Sequence, residues 1–408
     1  MSYDNDLMNE IYLMLGKSEC KKLSDIIAEK IATLDTPKTT LAKILNIDKS
    51  TFDRMLKKIE DGEIDSIDFF HILKMCQFFN ISVEEVAQIY VASLKAEHVS
   101  QLEIAKTANF LYRNFDLKGL KDVGFINSLT DIKAIENRFL TFFNLDRLYD
   151  YEEEVGGVLY SKTKKSVADE MKEFWVKSAI LQFQKVNNPN EYEQDKLLAL
   201  IPKIRPYTRH EEKGFLTVIQ ALYKIGITVI VQRYLSKTQV RGATFVVDDK
   251  PCIVITDFNK SYPTLWFSLM HELYHVIYDL EALKTWKYHT SGEEQDTTMQ
   301  IVSDLFNEEY ADYFSREILF PKEKLEYIKP HINSNSLVLE YAKENSIHPS
   351  LIYAFHVFDE NKKGKNLFPV YQKYFGSSEK ALKSVKTNPW DKVSIFEEIE
   401  KIKQILTS

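Results

Sequence analysis

The sequence predicts a mainly α chain with a small β-sheet, an α+β fold. Gly (12) and Pro (11) together make up about 6% of the 408 residues, half the usual ~12%. Apolar residues recur at helical spacing along most of the chain. Between Gly226 and Thr256 that spacing gives way to short runs rich in Val and Ile, the mark of strands. The apolar share of 44% supplies buried cores and excludes a disordered chain.

Residues 1–20 read as a lead-in. Leu23, Ile26, Ile27, Ile31 and Leu34 mark a first helix, and Leu41, Ile44 and Leu45 a second, with Thr39 and Thr40 as caps. Asn46-Ile47-Asp48 is a tight turn. A third helix runs from Ser50 to Ile59 and stops at Asp61-Gly62. Two more, Phe69 to Phe79 and Val83 to Leu94, complete a first domain over 1–98. Residues 99–204 form a helical connecting region, broken near Gly119, Gly124, Gly156-Gly157 and Asn187 to Asn190. A third region, 205–325, carries the strands. Ile227 to Val231 is one, and Thr244 to Val247 and Cys252 to Thr256 pair through Asp248-Asp249-Lys250. Pro251 suits the first residue of a strand. Helices follow from Pro263 to Leu280 and from Gln300 to Ile318, the latter ending before Pro321. The remainder, 326–408, is helical, with Ser350 to Phe358 its clearest segment.

Composition also excludes several function classes. Cys20, Cys76 and Cys252 are odd in number and scattered, which gives no disulfide framework, no thiolate zinc site and a reducing compartment. The first ten residues hold three acids and no base, so no secretory leader is expected. No charge-free run reaches the ~18 apolar residues of a membrane span. A soluble, cytoplasmic protein is expected. Its net charge of −7 does not suggest a polyanion binder along the whole chain.

The chemistry begins at His271-Glu272-Leu273-Tyr274-His275, an HExxH motif inside the expected Pro263–Leu280 helix. Positions four apart share a helix face, so His271 and His275 present two imidazoles to one tetrahedral metal ion. Glu272 sits beside the first and can accept a proton from water activated by zinc. Two histidines on a buried helix can also be plain core residues. A catalytic zinc needs a third ligand. Downstream, Glu308 and Asp312 are again four apart, on one face of the next helix, after a gap of 33 residues from His275. One carboxylate can ligate zinc while the other accepts the N–H of a ligating histidine. Glu308 alone reads as a solvated acid; beside an HExxH helix it reads as a site residue. Thr244–Val247 or Cys252–Thr256 offers a strand edge that could hold an extended peptide, or simply sheet core. His289, Tyr278 and Arg241 are further candidates for stabilising an oxyanion.

Three segments resemble the ImmA/IrrE family of metallopeptidases. Lys237-Thr238-Gln239-Val240-Arg241-Gly242-Ala243-Thr244-Phe245 is similar to the family's lead-in. Trp266-Phe267-Ser268-Leu269-Met270-His271-Glu272-Leu273-Tyr274-His275 is similar to its active helix, and Glu308-Glu309-Tyr310-Ala311-Asp312 to its third-ligand segment. Tyr274 stands where a small residue, usually Gly, is common, which would narrow the cleft. The resemblance covers about 205–325 and implies a zincin-like domain. It implies that His271, His275 and Glu308 bind Zn2+, that Glu272 is the base, and that Asp312 supports a ligating histidine. It further implies an endopeptidase that cuts or controls one protein, a repressor or antitoxin partner.

Thr40-Leu41-Ala42-Lys43-Ile44-Leu45-Asn46-Ile47, followed by Ser50-Thr51-Phe52, resembles an XRE-type helix-turn-helix. The order of domains resembles regulators related to HigA-type antitoxins. Ile347-His348-Pro349-Ser350-Leu351-Ile352 is similar to the start of their C-terminal helix, and departs from it at Ala354-Phe355. In such a fold the second helix enters the major groove. Lys49, Ser50, Thr51, Arg54 and Lys57 would then face double-stranded DNA. Residues 38–58 hold six bases and two acids, although 1–98 as a whole holds twelve bases and seventeen acids. A homodimer would read two half-sites. The alternative function is a DNA-binding regulator or antitoxin whose peptidase-like domain is sensory or structural. A third is a module that docks only proteins.

Overall fold

A computed structural model of the chain describes residues 23–34, 36–61, 63–82, 87, 90, 96–153, 167–235, 238, 240–286, 288–291 and 307–408. These form two compact units, Met1–Ala108 and Asn109–Ser408. The described residues are mainly helical with one small mixed sheet, the expected α+β class.

In the first unit, α1 (Leu23–Thr33), α2 (Lys38–Ile44), α3 (Lys49–Glu60) and α4 (Phe69–Phe78) are followed by α5 (Ala96–Asn114), which contains the boundary. Leu41, Phe52, Met55, Ile72 and Met75 form its core. Asn46 turns the chain after α2 with φ 51°, a conformation that asparagine tolerates. Asp48 then caps α3, its carboxylate accepting from the Thr51 N–H at 3.0 Å. Residues 1–20, Gly62 and most of the expected Val83–Leu94 helix lie outside the described residues.

The second unit continues with α6 (Leu117–Asp122), α7 (Ile132–Phe143), α8 (Val167–Val186), α9 (Gln194–Ile204) and α10 (Gly214–Lys224). The strands are β1 (Thr228–Gln232), β2 (Gly242–Val247), β3 (Lys250–Thr256), β4 (Tyr288–Ser291) and β5 (Lys386–Thr387), in the order β4-β2-β3-β1-β5. β1 runs parallel to β3, with Thr228 opposite Cys252, and parallel to β5. β2 is antiparallel to β3 and to β4. β1 is buried along its whole length, which suits its central Val229-Ile230-Val231. Asp248 and Asp249, both with φ above zero (49° and 60°), make the two-residue turn between β2 and β3.

The sheet corrects one expectation. β2 and β3 are interior strands, so neither is a peptide-binding edge; the outermost described strands are β4 and β5. Both were unreadable in the sequence. They are two to four residues long and carry no apolar alternation.

After β3 come α11 (Tyr262–Tyr278), α12 (Leu280–Trp286), α13 (Glu308–Leu319), α14 (Lys322–Ile328), α15 (Asn335–Glu344), α16 (Pro349–Lys362) and α17 (Ile399–Thr407). Ser261 caps α11, and Pro263 occupies its first turn. Trp266, Leu269, Met270, Leu273 and Val276 of α11 are fully buried. The helix lies between β2 and β3 on one side and α13 and α16 on the other. A helix apolar around its circumference needs such a setting.

One continuous core runs from Phe110 to Leu406. It crosses the boundaries that the sequence suggests at 204 and 325, because an apolar helix face does not reveal which partner it will meet. Arg138 shows the join. Its guanidinium lies 4.2 Å from the Phe125 ring centroid and donates to the carbonyls of Phe125, Trp390 and Val393.

Candidate metal centre

α11 places His271 and His275 one turn apart, their ring centroids 5.0 Å from each other and both buried. α13 crosses beside them. Asn307 caps α13, accepting from the Tyr310 N–H at 3.0 Å, so Glu308 occupies the first turn, where the helix dipole favours a carboxylate. Arg316, two turns on, forms a bidentate ion pair with Asp359 of α16, its Nη2 2.6 Å from Oδ2, and ties α13 down. The first part of the expected Gln300–Ile318 helix, residues 300–306, lies outside the described residues.

The two imidazoles converge on one carboxylate. His271 Nε2 lies 3.2 Å from Glu308 Oε2, and His275 Nε2 lies 3.4 Å from Glu308 Oε1. His271, His275 and Glu308 can each offer one ligand atom, and these atoms all lie within 4.8 Å of one another, so the group could hold a metal ion. A tetrahedral ion bonded at about 2.0–2.1 Å separates its donors by about 3.3–3.4 Å, close to the two histidine–Glu308 spacings. The donor set, two imidazoles and a carboxylate, suits a divalent cation.

The far side of each imidazole is also held. His271 Nδ1 lies 3.0 Å from Asp312 Oδ1, and His275 Nδ1 lies 2.6 Å from Asp279 Oδ2. With each Nδ1 turned to a carboxylate, both Nε2 atoms face Glu308. Sequence reasoning found Asp312 and missed Asp279, although Asp279 stands four residues after His275 and so shares its face.

Glu272 turns the other way, toward β2. It is fully buried, and its Oε2 accepts from the Thr244 hydroxyl at 2.7 Å. A Cβ at Gly242 would fall 2.7 Å from Glu272 Oε1, so only glycine allows the carboxylate to lie this close to the strand. Neither Thr244 nor Gly242 was legible as a site residue, since the contact spans about thirty positions of chain.

Burial alone would make His271 less basic. The carboxylates of Asp312, Glu308 and Glu272 outweigh burial and push it up to about 10. His275 is raised in the same way, by Asp279, Glu308 and Glu272 against its burial. Positive charge is therefore favoured at the centre of the site. Glu308 and Asp312, at 38% and 54% side-chain exposure, mark the side open to solvent.

Tyr274 does not narrow the space between α11 and β2. It lies two positions, about 200°, round the helix from Glu272. There it packs on Tyr278 and Phe314, with ring centroids at 4.7 and 5.7 Å. With Tyr310 and Tyr313 these rings line a cavity of about 410 Å³ on the outer side of the helix pair. Tyr278, a candidate oxyanion group, is 60% exposed in this cluster. Arg241 precedes β2, its carbonyl accepting from the Thr256 N–H. The His289 side chain lies outside the described residues.

In the first unit, Lys49, Ser50, Arg54 and Lys57 are exposed on α3, and Thr51 is half-buried. Asp48 draws the hydroxyls of Ser50 and Thr51 toward its own carboxylate, at 2.5 and 3.3 Å. These bonds hold Asp48 below the usual carboxylate range. The amino end of α3 therefore carries a fixed negative charge beside its lysine.

Compared with known proteins, the chain matches no family model, no curated protein and no solved structure at a significant level.

Proposed function

We propose that the second unit is a zinc-dependent endopeptidase that cuts a specific protein, a repressor or antitoxin-like partner. The observation that carries this reading is the convergence of His271, His275 and Glu308 with Glu272 one residue from the first ligand. These residues would hold Zn2+, which supplies polarisation of the scissile carbonyl and a lowered pKa for water. Glu272 accepts the proton of the attacking water and returns it to the leaving amine. Thr244 fixes the carboxylate of Glu272 for this exchange, and Asp312 and Asp279 keep both ligating imidazoles in one tautomer. An extended substrate pairs along β4, the outermost described strand on the β2 side of the sheet.

Glu272→Gln tests this directly. The variant should retain fold and zinc while losing cleavage. The assay compares the proteomes of cells carrying the native chain and the variant, and seeks a protein cut only in the former. Equal cleavage in both would remove Glu272 from the mechanism.

A second reading, DNA binding by the first unit, draws on the exposed Lys49, Arg54 and Lys57 of α3. Arg54→Ala should weaken operator binding, and unchanged binding would point to protein docking instead.

A further inference from the structure

The carboxyl ends of β3 and β5 border a cavity of about 480 Å³, the size of a small-molecule site rather than of a lone ion. In sheets with parallel strands, ligands collect at the carboxyl ends of those strands. Here β3 leads into Asp257 and Lys260, and β5 ends at Thr387 before Asn388; all four residues line the cavity.

Its charge is inverted relative to the chain. Lys260, Lys380, Lys383 and Lys386 line it, against the carboxylates of Asp257 and Glu379, in a protein of net charge −7. The Lys386–Asp257 pair is half-buried. The Lys260–Glu379 and Lys380–Glu211 pairs, both 3.1 Å, are exposed, and exposed pairs are weak. Lys383 makes no ion pair among the described residues and is exposed. A multiply charged anion can therefore recruit three ammonium groups at little cost.

We propose that this cavity binds a small-molecule polyphosphate. The volume, larger than a phosphate chain alone would fill, favours a nucleoside di- or triphosphate over inorganic pyrophosphate. The inference does not rest on the peptidase reading.

Calorimetric titration of the full chain tests it, with ATP and inorganic pyrophosphate as separate probes. Metal-stripped protein at low salt keeps the metal centre from capturing phosphate. Lys383→Glu and Lys260→Glu change exposed side chains, and thermal melting monitored by circular dichroism verifies that both fold. Binding of either probe, weakened about tenfold or more by each charge reversal and by added salt, supports the site. Tighter ATP than pyrophosphate assigns the ligand to nucleotides, and equal affinity assigns it to the phosphates alone. Failure of both probes to bind at millimolar concentration, or binding that survives both reversals, overturns the proposal.

Discussion

Thr244 and Glu272 meet across the gap between β2 and α11, the hydroxyl donating to the buried carboxylate at 2.7 Å. The bond sets the direction of the one acid in the site that neither faces Glu308 nor holds an imidazole. Thr244→Val preserves shape and removes the donor from a buried charge, a loss of about 1–3 kcal/mol. Peptide cleavage should fall roughly 10–100-fold with zinc content unchanged. Thr244→Ser should retain most activity. Gly242→Ala, which puts a methyl group against Glu272 Oε1, should be at least as harmful as Thr244→Val. Turnover and metal content measured together separate misplacement of Glu272 from loss of the ion.

Asp279→Asn and Asp312→Asn test the support behind the ligands. Each removes a carboxylate from Nδ1 of a ligating histidine, and metal affinity should drop about 10–100-fold. Competition with a coloured chelator reads the change. Asp249→Asn, in the β2–β3 turn, is the control and should leave affinity intact.

Proton linkage gives a signed prediction. In the metal-free chain the His271 imidazolium is stabilised by carboxylates, with its pKa raised to about 10. A raised histidine contributes stability that is full below its unfolded value of about 6.5 and is lost as pH climbs toward 10, on the order of a few kcal/mol. The metal-free protein should therefore melt at lower temperature as pH rises through that window. Metal requires neutral imidazole, so uptake near neutral pH should release protons and tighten with pH. Calorimetry in buffers of different ionisation enthalpy would count those protons, and a count of zero would contradict the electrostatics of the site.

Arg316→Met breaks the bidentate pair with Asp359 and leaves a poorly solvated carboxylate against α13. Denaturant unfolding should show a loss of about 3 kcal/mol. Metal affinity should fall with it, because α13 carries Glu308. Asp359→Leu combined with Arg316→Met should recover part of the stability but none of the geometry.

The sequence made some of this visible and hid the rest. Spacing of four residues made His271 with His275 and Glu308 with Asp312 readable, since it is a property of a single helix. Asp279 obeys the same rule after His275, one turn beyond the motif and on the face of its second histidine. Thr244 and Gly242 could not be read: their meaning comes from a strand lying against a helix about thirty residues away. β4 and β5 were hidden for a related reason. A polar strand of two to four residues is held by its neighbours' backbone and leaves no pattern of its own. The helical character of the first unit was legible. The turn of Ser50 and Thr51 toward Asp48 was not, because serine and threonine hydroxyls choose between local backbone caps and outside partners.

The core that runs from Phe110 to Leu406 sets an order of events during synthesis. α10 is closed by the last helix, where the Gln220 side chain donates to the carbonyl of Ile405 at 2.7 Å. A ribosome delivers residues from the amino end, and the exit tunnel withholds the newest of them. The imidazoles of α11 emerge about thirty residues before Glu308, the third donor of the group. A nascent chain thus presents both imidazoles, and the β2 strand that receives Glu272, before the carboxylate that completes the donor set.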